Sequence, residues 1–79
     1  MSVDRALELA PIVERVHGPS HPEMTRIRQI VETVSAGDGD GNALFAELRA
    51  LTDNYTPPKD TCETVEALYG ALQSMDATQ

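Results

Sequence analysis

Three side chains in this sequence are of the types that bind soft metals or act as nucleophiles: His17, His21 and Cys62. Two imidazoles and a thiol suit zinc or another soft metal. A metal site, however, needs three or four convergent ligands, and a Gly-Pro-Ser stretch prevents the two histidines from sharing one helical face. Structural roles at helix ends are the favoured interpretation. The sequence therefore predicts no firm metal ligand and no cofactor, with these three residues as weak candidates.

Cys62 is the only cysteine among the 79 residues, so no internal disulfide can form. This usage is typical of the reducing cytoplasm, which is the expected location. Because Cys62 falls at the predicted start of a helix, the helix dipole would lower the pKa of its thiol and make it reactive. The favoured alternative is a small, semi-buried residue on the core side, since cysteines are often buried as plain hydrophobes.

The loop of residues 38–42 has the Asp-Gly-Asp-Gly-Asn composition that begins many calcium-binding loops. Such a loop needs glycine at its sixth position and a bidentate glutamate at its twelfth, where this chain has Ala43 and Arg49. Asp38 and Asp40 are therefore interpreted as turn residues and a helix cap. The sequence also has no nucleophile–base pattern and no glycine-rich phosphate loop, so it is not expected to be an enzyme.

Four segments have the apolar spacing of amphipathic helices, at about residues 3–17, 21–35, 42–54 and 61–75. Pro11 should kink the first helix or divide it into two segments. Ser20 and Glu23 have the spacing of a capping box for the second helix, and Asp60 or Thr61 is expected to cap the fourth. The last four residues are expected to fray.

Short connections between these segments predict a single all-α domain over residues 1–79, a small up-down-up-down four-helix bundle. In that topology the loops at about residues 17–20 and 56–60 lie at one end. The loop of residues 36–41 and both termini lie at the other end. The three candidate site residues should therefore lie near one another.

The chain is acidic, with a formal net charge of −7. Such a surface repels nucleic acid and anionic membranes, so neither is an expected partner. No stretch approaches the roughly 20 apolar residues that span a bilayer, and the N-terminus does not have the pattern of a signal peptide.

Two stretches carry a family resemblance. Residues 12–18 (IVERVHG), running into His21-Pro22-Glu23, resemble a turn of the RIC (repair of iron centres) proteins. Residues 48–58 (LRALTDNYTPP), followed by Cys62, Thr64, Leu68 and Tyr69, are similar to the region between the family's third and fourth helices. The resemblance implies a hemerythrin-like bundle related to the repair of iron–sulfur clusters damaged by nitric oxide or oxidants.

The family binds two irons through histidines and His-x-x-x-Glu pairs, and this chain has no His-x-x-x-Glu pair. His17 and His21 match the turn between the family's first two helices, which is not its iron site. The resemblance therefore implies a bundle shortened at its metal-binding end, without a di-iron centre.

Three functions remain open at this point. The first is a metal-free accessory or interaction protein related to iron–sulfur repair and the response to nitrosative and oxidative stress. The second is a small metal-binding or redox module that uses His17, His21 and Cys62. The third is a homo-oligomeric structural module, since a shortened bundle exposes apolar surface that a two-fold homodimer would cover.

Overall fold

The computed structural model describes residues 2–59 and 62–78, which form four α-helices and, within these ranges, no strand. The prediction of a small all-α four-helix bundle is confirmed. The molecule measures 30 × 21 × 20 Å along its principal axes. The helices are α1 (Ser2–His17), α2 (Glu23–Ser35), α3 (Gly41–Thr52) and α4 (Glu63–Thr78).

One hydrophobic core lies between the helices and is built mainly from aliphatic side chains, as the scarcity of aromatic residues requires. α1 packs against both α4 and α2, and α3 packs against α2. Each helix is too short to be stable alone, so burial of its apolar stripe holds it in place. The largest fully buried side chains are Met24, Ile27, Ile30, Leu48, Leu68, Leu72, Val13, Val31 and Val65.

α1 is continuous from Ser2 to His17 with Pro11 inside it, so the alternative of two separate segments is wrong. At its end the backbone turns tightly, and the N–H groups of Ser20 and His21 both donate to the carbonyl of His17. This turn keeps Ser20 outside the next helix. Pro22 occupies the cap position of α2 without a side-chain cap bond, so the predicted capping box is wrong.

An ion pair between Arg28 of α2 and Glu14 of α1 holds the two helices together behind this turn. Arg28 donates from Nε to Glu14 at 2.7 Å, and from Nη1 to Glu32 of its own helix at 2.8 Å. Hydrogen bonds from Thr25 and Arg28 lower the pKa of the Glu14 carboxyl, and the nearby Arg28 charge acts in the same direction. The last two turns of α1, which carry His17, are thus fixed relative to α2.

The connection between α2 and α3 has glycines where the backbone enters the left-handed region, at Gly37 (φ 77°) and Gly39 (φ 74°). Asp40 then caps α3: its carboxylate accepts from the N–H of Asn42 at 3.0 Å and of Ala43 at 3.5 Å. The interpretation of this loop as a turn and helix cap is confirmed for Asp40.

α3 ends at Thr52 in an uncommon way, because the next three residues, none of them glycine, all have positive φ. Asp53, Asn54 and Tyr55 have φ values of 51°, 57° and 63°. Left-handed backbone at non-glycine residues is strained and needs compensating contacts. Part of the compensation comes from the buried Thr52 hydroxyl, which donates to the carbonyl of Leu48 and accepts from the N–H of Tyr55.

Further compensation comes from the end of α4. The Tyr55 hydroxyl donates to Asp76 at 2.9 Å, and Arg49 donates to both oxygens of the same carboxylate. The chain thus leaves α3 beside the last turns of α4. This anchoring accounts for the helical geometry of residues 76–78, where fraying was expected. The predicted caps Asp60 and Thr61 lie outside the described residues.

None of the helices in the described part of the chain combines the length and the apolar character needed to cross a membrane.

Candidate functional site

The candidate site is the place where the end of α1 meets the start of α4. His17 is the last residue of α1, and Cys62 directly precedes α4. The distance between His17 Nε2 and Cys62 Sγ is 3.1 Å, within hydrogen-bonding range of sulfur. When both groups are neutral, the thiol donates to Nε2; in the ionised pair, the imidazolium N–H donates to the thiolate. In both states one proton therefore lies between Nε2 and Sγ.

Cys62 also occupies the cap position of α4. Its sulfur accepts hydrogen bonds from the backbone N–H groups of Val65 and Thr64. These groups are the third and second residues of the helix, which are the positions that an N-cap side chain normally reaches. The free N–H groups and the helix dipole favour a negative charge at this point.

These contacts lower the pKa of the Cys62 thiol to about 7. The largest cause is the hydrogen bond from Val65, followed by the one from His17; partial desolvation opposes them. Near neutral pH a large part of the protein would therefore carry the thiolate, which is the nucleophilic form of cysteine.

The sulfur is open to solvent as well as ionisable, because Cys62 is exposed. The favoured expectation of a semi-buried residue on the core side is therefore wrong. The physical reason is its position: a residue that caps a helix lies beyond the end of the helix's apolar stripe and turns its side chain toward the free N–H groups. Exposure lets a reactant approach the thiolate directly.

His21 lies near the pair without joining it. Its ring centroid is 6.5 Å from that of His17, and its Nδ1 atom faces Glu23 Oε2 at 3.3 Å. The fold thus brings together two of the three sequence candidates and gives the third a different partner. Within residues 2–59 and 62–78, no three His, Cys, Asp or Glu side chains are grouped as metal ligands.

A small cleft opens beside the thiol, with a volume of about 40 Å³. Two large aliphatic side chains of α1 on this cleft are unusually exposed: Ile12 at 38% and Val16 at 61%. The helical spacing of apolar residues in positions 3–17 gave no sign that this part of α1 would lie open. The cleft is lined by Ile12, Val13, Val16, His17, Cys62 and Thr64.

A second, wider groove lies at the far end of α4, beside the ion pair of Arg49 and Asp76. The Tyr55 hydroxyl projects toward this carboxylate, and burial, the hydrogen bond to Asp76 and its negative charge all raise the pKa of Tyr55. Raising that pKa keeps the phenol protonated, which fits a structural donor. The network explains how the end of α3 is held and has no nucleophile.

Comparison of the sequence with known families, with curated proteins and with solved structures gives no match. The function is therefore inferred from the geometry around Cys62.

Proposed function

We propose that this chain is a small redox module that acts by thiol–disulfide exchange at Cys62. The observation that carries the proposal is the 3.1 Å contact between His17 Nε2 and the exposed Cys62 sulfur at the start of α4. A low pKa and free access are the two properties that distinguish reactive cysteines from structural ones.

The proposed exchange needs a disulfide as co-reactant and no other oxidant. The thiolate of Cys62 attacks one sulfur of that disulfide, and a new S–S bond forms as the old one breaks. The other half leaves with the bonding electrons as a thiolate, which takes a proton from the His17 imidazolium or from water. Cys62 is thereby oxidised to a mixed disulfide and the leaving half is reduced.

The cysteine count limits how the mixed disulfide can be released. Cys62 is the only cysteine in the sequence, so no second thiol of the same chain can resolve the new bond. Release requires an external thiol that attacks it. The proposed role is therefore reversible capture of one thiol-containing partner at a time, stoichiometric rather than enzymatic.

Intact-protein mass spectrometry tests this role. After exposure to bis(2-hydroxyethyl) disulfide at neutral pH, the native protein should gain one half-molecule and lose it again on treatment with a reducing thiol. The native chain should react roughly threefold faster than the chain unfolded in urea, since its larger thiolate fraction outweighs its lower intrinsic nucleophilicity.

Two variants serve as controls for that experiment. Cys62→Ser should give no adduct, and His21→Ala should react at the native rate because His21 faces Glu23 instead of the sulfur. A native rate equal to or below that of the unfolded chain would refute the proposal.

A second candidate is an accessory protein of iron–sulfur repair with no di-iron centre of its own. It is supported by the fact that both stretches carrying the family resemblance contribute to one site, since His17 belongs to the first and Cys62 to the second. Such a protein would bind a partner at this end of the bundle.

Recovery of activity by an enzyme with a nitric-oxide-damaged [4Fe–4S] cluster tests this candidate. Recovery in the presence of a di-iron repair protein should become faster when this chain is added and should lose the increase with Cys62→Ser. An unchanged recovery rate would reject the role.

A further inference from the structure

The cleft beside Cys62 bears on which disulfides the thiolate accepts, an inference that rests on the proposed exchange function. Cys62 and His17 form part of its lining, so anything bonded to the attacked sulfur must lie in or next to it. The remaining lining is mostly aliphatic, from Ile12, Val13 and Val16 of α1. The reacting sulfur and the aliphatic surface therefore lie in the same cleft.

The exposure pattern along α1 shows that this surface is open. Val13 is fully buried and forms part of the core, whereas Ile12 and Val16 remain exposed on either side of it in the sequence. Ile12 and Val16 are four residues apart and so lie one above the other on the same helical face. Covering them with another apolar group removes aliphatic surface from water, which is favourable.

The size of the cleft limits its occupant. By the measure in which one water molecule needs roughly 10–15 Å³, its volume of about 40 Å³ corresponds to about three water molecules. It therefore has room for a short alkyl group.

We propose that this cleft binds the short aliphatic group next to the attacked sulfur, so that Cys62 reacts preferentially with disulfides carrying uncharged alkyl flanks. Polar flanks of equal length would have to leave water for an aliphatic surface that gives them no hydrogen bond. The preferred partner is then a disulfide with alkyl groups beside sulfur, and a strongly hydrated disulfide of the glutathione type is a poorer one.

The test compares diethyl disulfide with bis(2-hydroxyethyl) disulfide, which differ at the end of the group that would enter the cleft. Their leaving thiols also differ in intrinsic reactivity. Each rate is therefore divided by the rate of the same disulfide with the chain unfolded in urea, at one pH. The native chain should favour the diethyl compound by roughly threefold to tenfold after this correction, as expected if the hydroxyl of the other compound loses water without gaining a hydrogen bond.

Val16→Thr is the diagnostic variant, since it keeps the side-chain shape, introduces a hydroxyl and lies at an exposed position where folding is little affected. It should reduce the corrected preference at least twofold. Thr33→Val, a swap of the same two residue types on α2, should leave the preference as it is.

Three outcomes are distinguishable. A corrected preference near one in the native chain, with both disulfides still reacting faster than in the unfolded chain, overturns the cleft inference and leaves the exchange function standing. Reaction of both disulfides no faster than in the unfolded chain overturns both. If Val16→Thr alters sedimentation of the native protein but not the preference, the exposed aliphatic residues form a contact between two copies of the chain and the inference is wrong.

Discussion

The Nε2 atom of His17 lies 3.1 Å from the Sγ atom of Cys62, although the two residues are 45 positions apart in the chain. The contact joins the last residue of α1 to the residue that caps α4. Because the same sulfur accepts from the N–H groups of Val65 and Thr64, the thiolate is stabilised from two directions. The reactivity of the thiol is thereby tied to the packing of α1 on α4.

The stability of the protein should depend on pH through Cys62. Its pKa is about 7 in the folded chain, below the ordinary value of 9.0. A lowered pKa means that the folded state stabilises the thiolate, and this contribution is complete above about pH 9 and disappears as the pH falls through 7. The unfolding free energy of the native protein relative to Cys62→Ser should therefore rise between pH 7 and pH 9.

Urea denaturation at a series of pH values measures this difference. His17→Ala provides the control, because removing the imidazole should weaken the pH dependence while the contribution of the α4 N–H groups remains. A difference that stays flat from pH 7 to pH 9 would show that the fold does not stabilise the thiolate.

Tyr55→Phe should destabilise the chain by about 1 kcal/mol, since it removes the hydroxyl that donates to Asp76. The melting temperature should fall by roughly 4–8 °C for a domain of this size. Arg5→Gln is a suitable control, because it breaks only the exposed pair of Arg5 and Glu8 and should change stability by less than about 0.5 kcal/mol. An unchanged melting temperature in Tyr55→Phe would mean that the Tyr55 hydroxyl is not needed to hold the end of α3.

Gly18→Ala and Gly70→Ala should have opposite effects on stability. A Cβ atom at Gly18 would come too close to the carbonyl oxygen of Glu14, so the turn after His17 would have to shift. At Gly70, inside α4, an added Cβ meets no atom within 4 Å, and alanine should stabilise the helix by about 0.5–1 kcal/mol. Thermal denaturation of both variants checks this, and stabilisation by Gly18→Ala would contradict the geometry of the turn.

Asp40→Ala should lower the unfolding free energy by about 0.5–2 kcal/mol, because the carboxylate caps α3. Asp38→Ala is the matched control: it lies in the same loop, and its backbone bond to Thr33 does not need the side chain. Equal effects of the two substitutions, measured by chemical denaturation, would argue against the cap.

The four helices were predictable because each segment repeats its apolar residues at helical spacing, and a short helix forms only if that face is buried. The predicted topology also placed His17 and Cys62 at the same end. The cap at Asp40 followed from local chemistry, since aspartate before a helix commonly accepts from its first N–H groups.

Other features had no signal in the sequence. Three successive left-handed residues without glycine at 53–55 depend on tertiary contacts, above all on Asp76, which lies 21 residues beyond Tyr55. The predicted capping box at Ser20 is wrong for a similar reason. The backbone N–H of Ser20 donates to the carbonyl of His17, so it belongs to the turn after α1 and not to the start of α2.

The site itself was predictable only in part. Helix position indicated a lowered thiol pKa for Cys62, and the spacing from Cys62 to Val65 could have identified the sulfur as the cap. Its direct contact with His17 and the exposure of Ile12 and Val16 depend on how α1 and α4 meet, which spacing within one helix does not determine.

The measurement that tests the proposed reactive thiolate most directly is a titration of Cys62, monitored by the ultraviolet absorbance of the thiolate in the native protein and in His17→Ala. The native pKa should be about 7, and His17→Ala should raise it while leaving it below that of the unfolded chain, because the bonds from Val65 and Thr64 remain. A native pKa equal to that of the unfolded chain, or one that His17→Ala does not change, would contradict the stabilisation of the thiolate by the end of α1 and the start of α4.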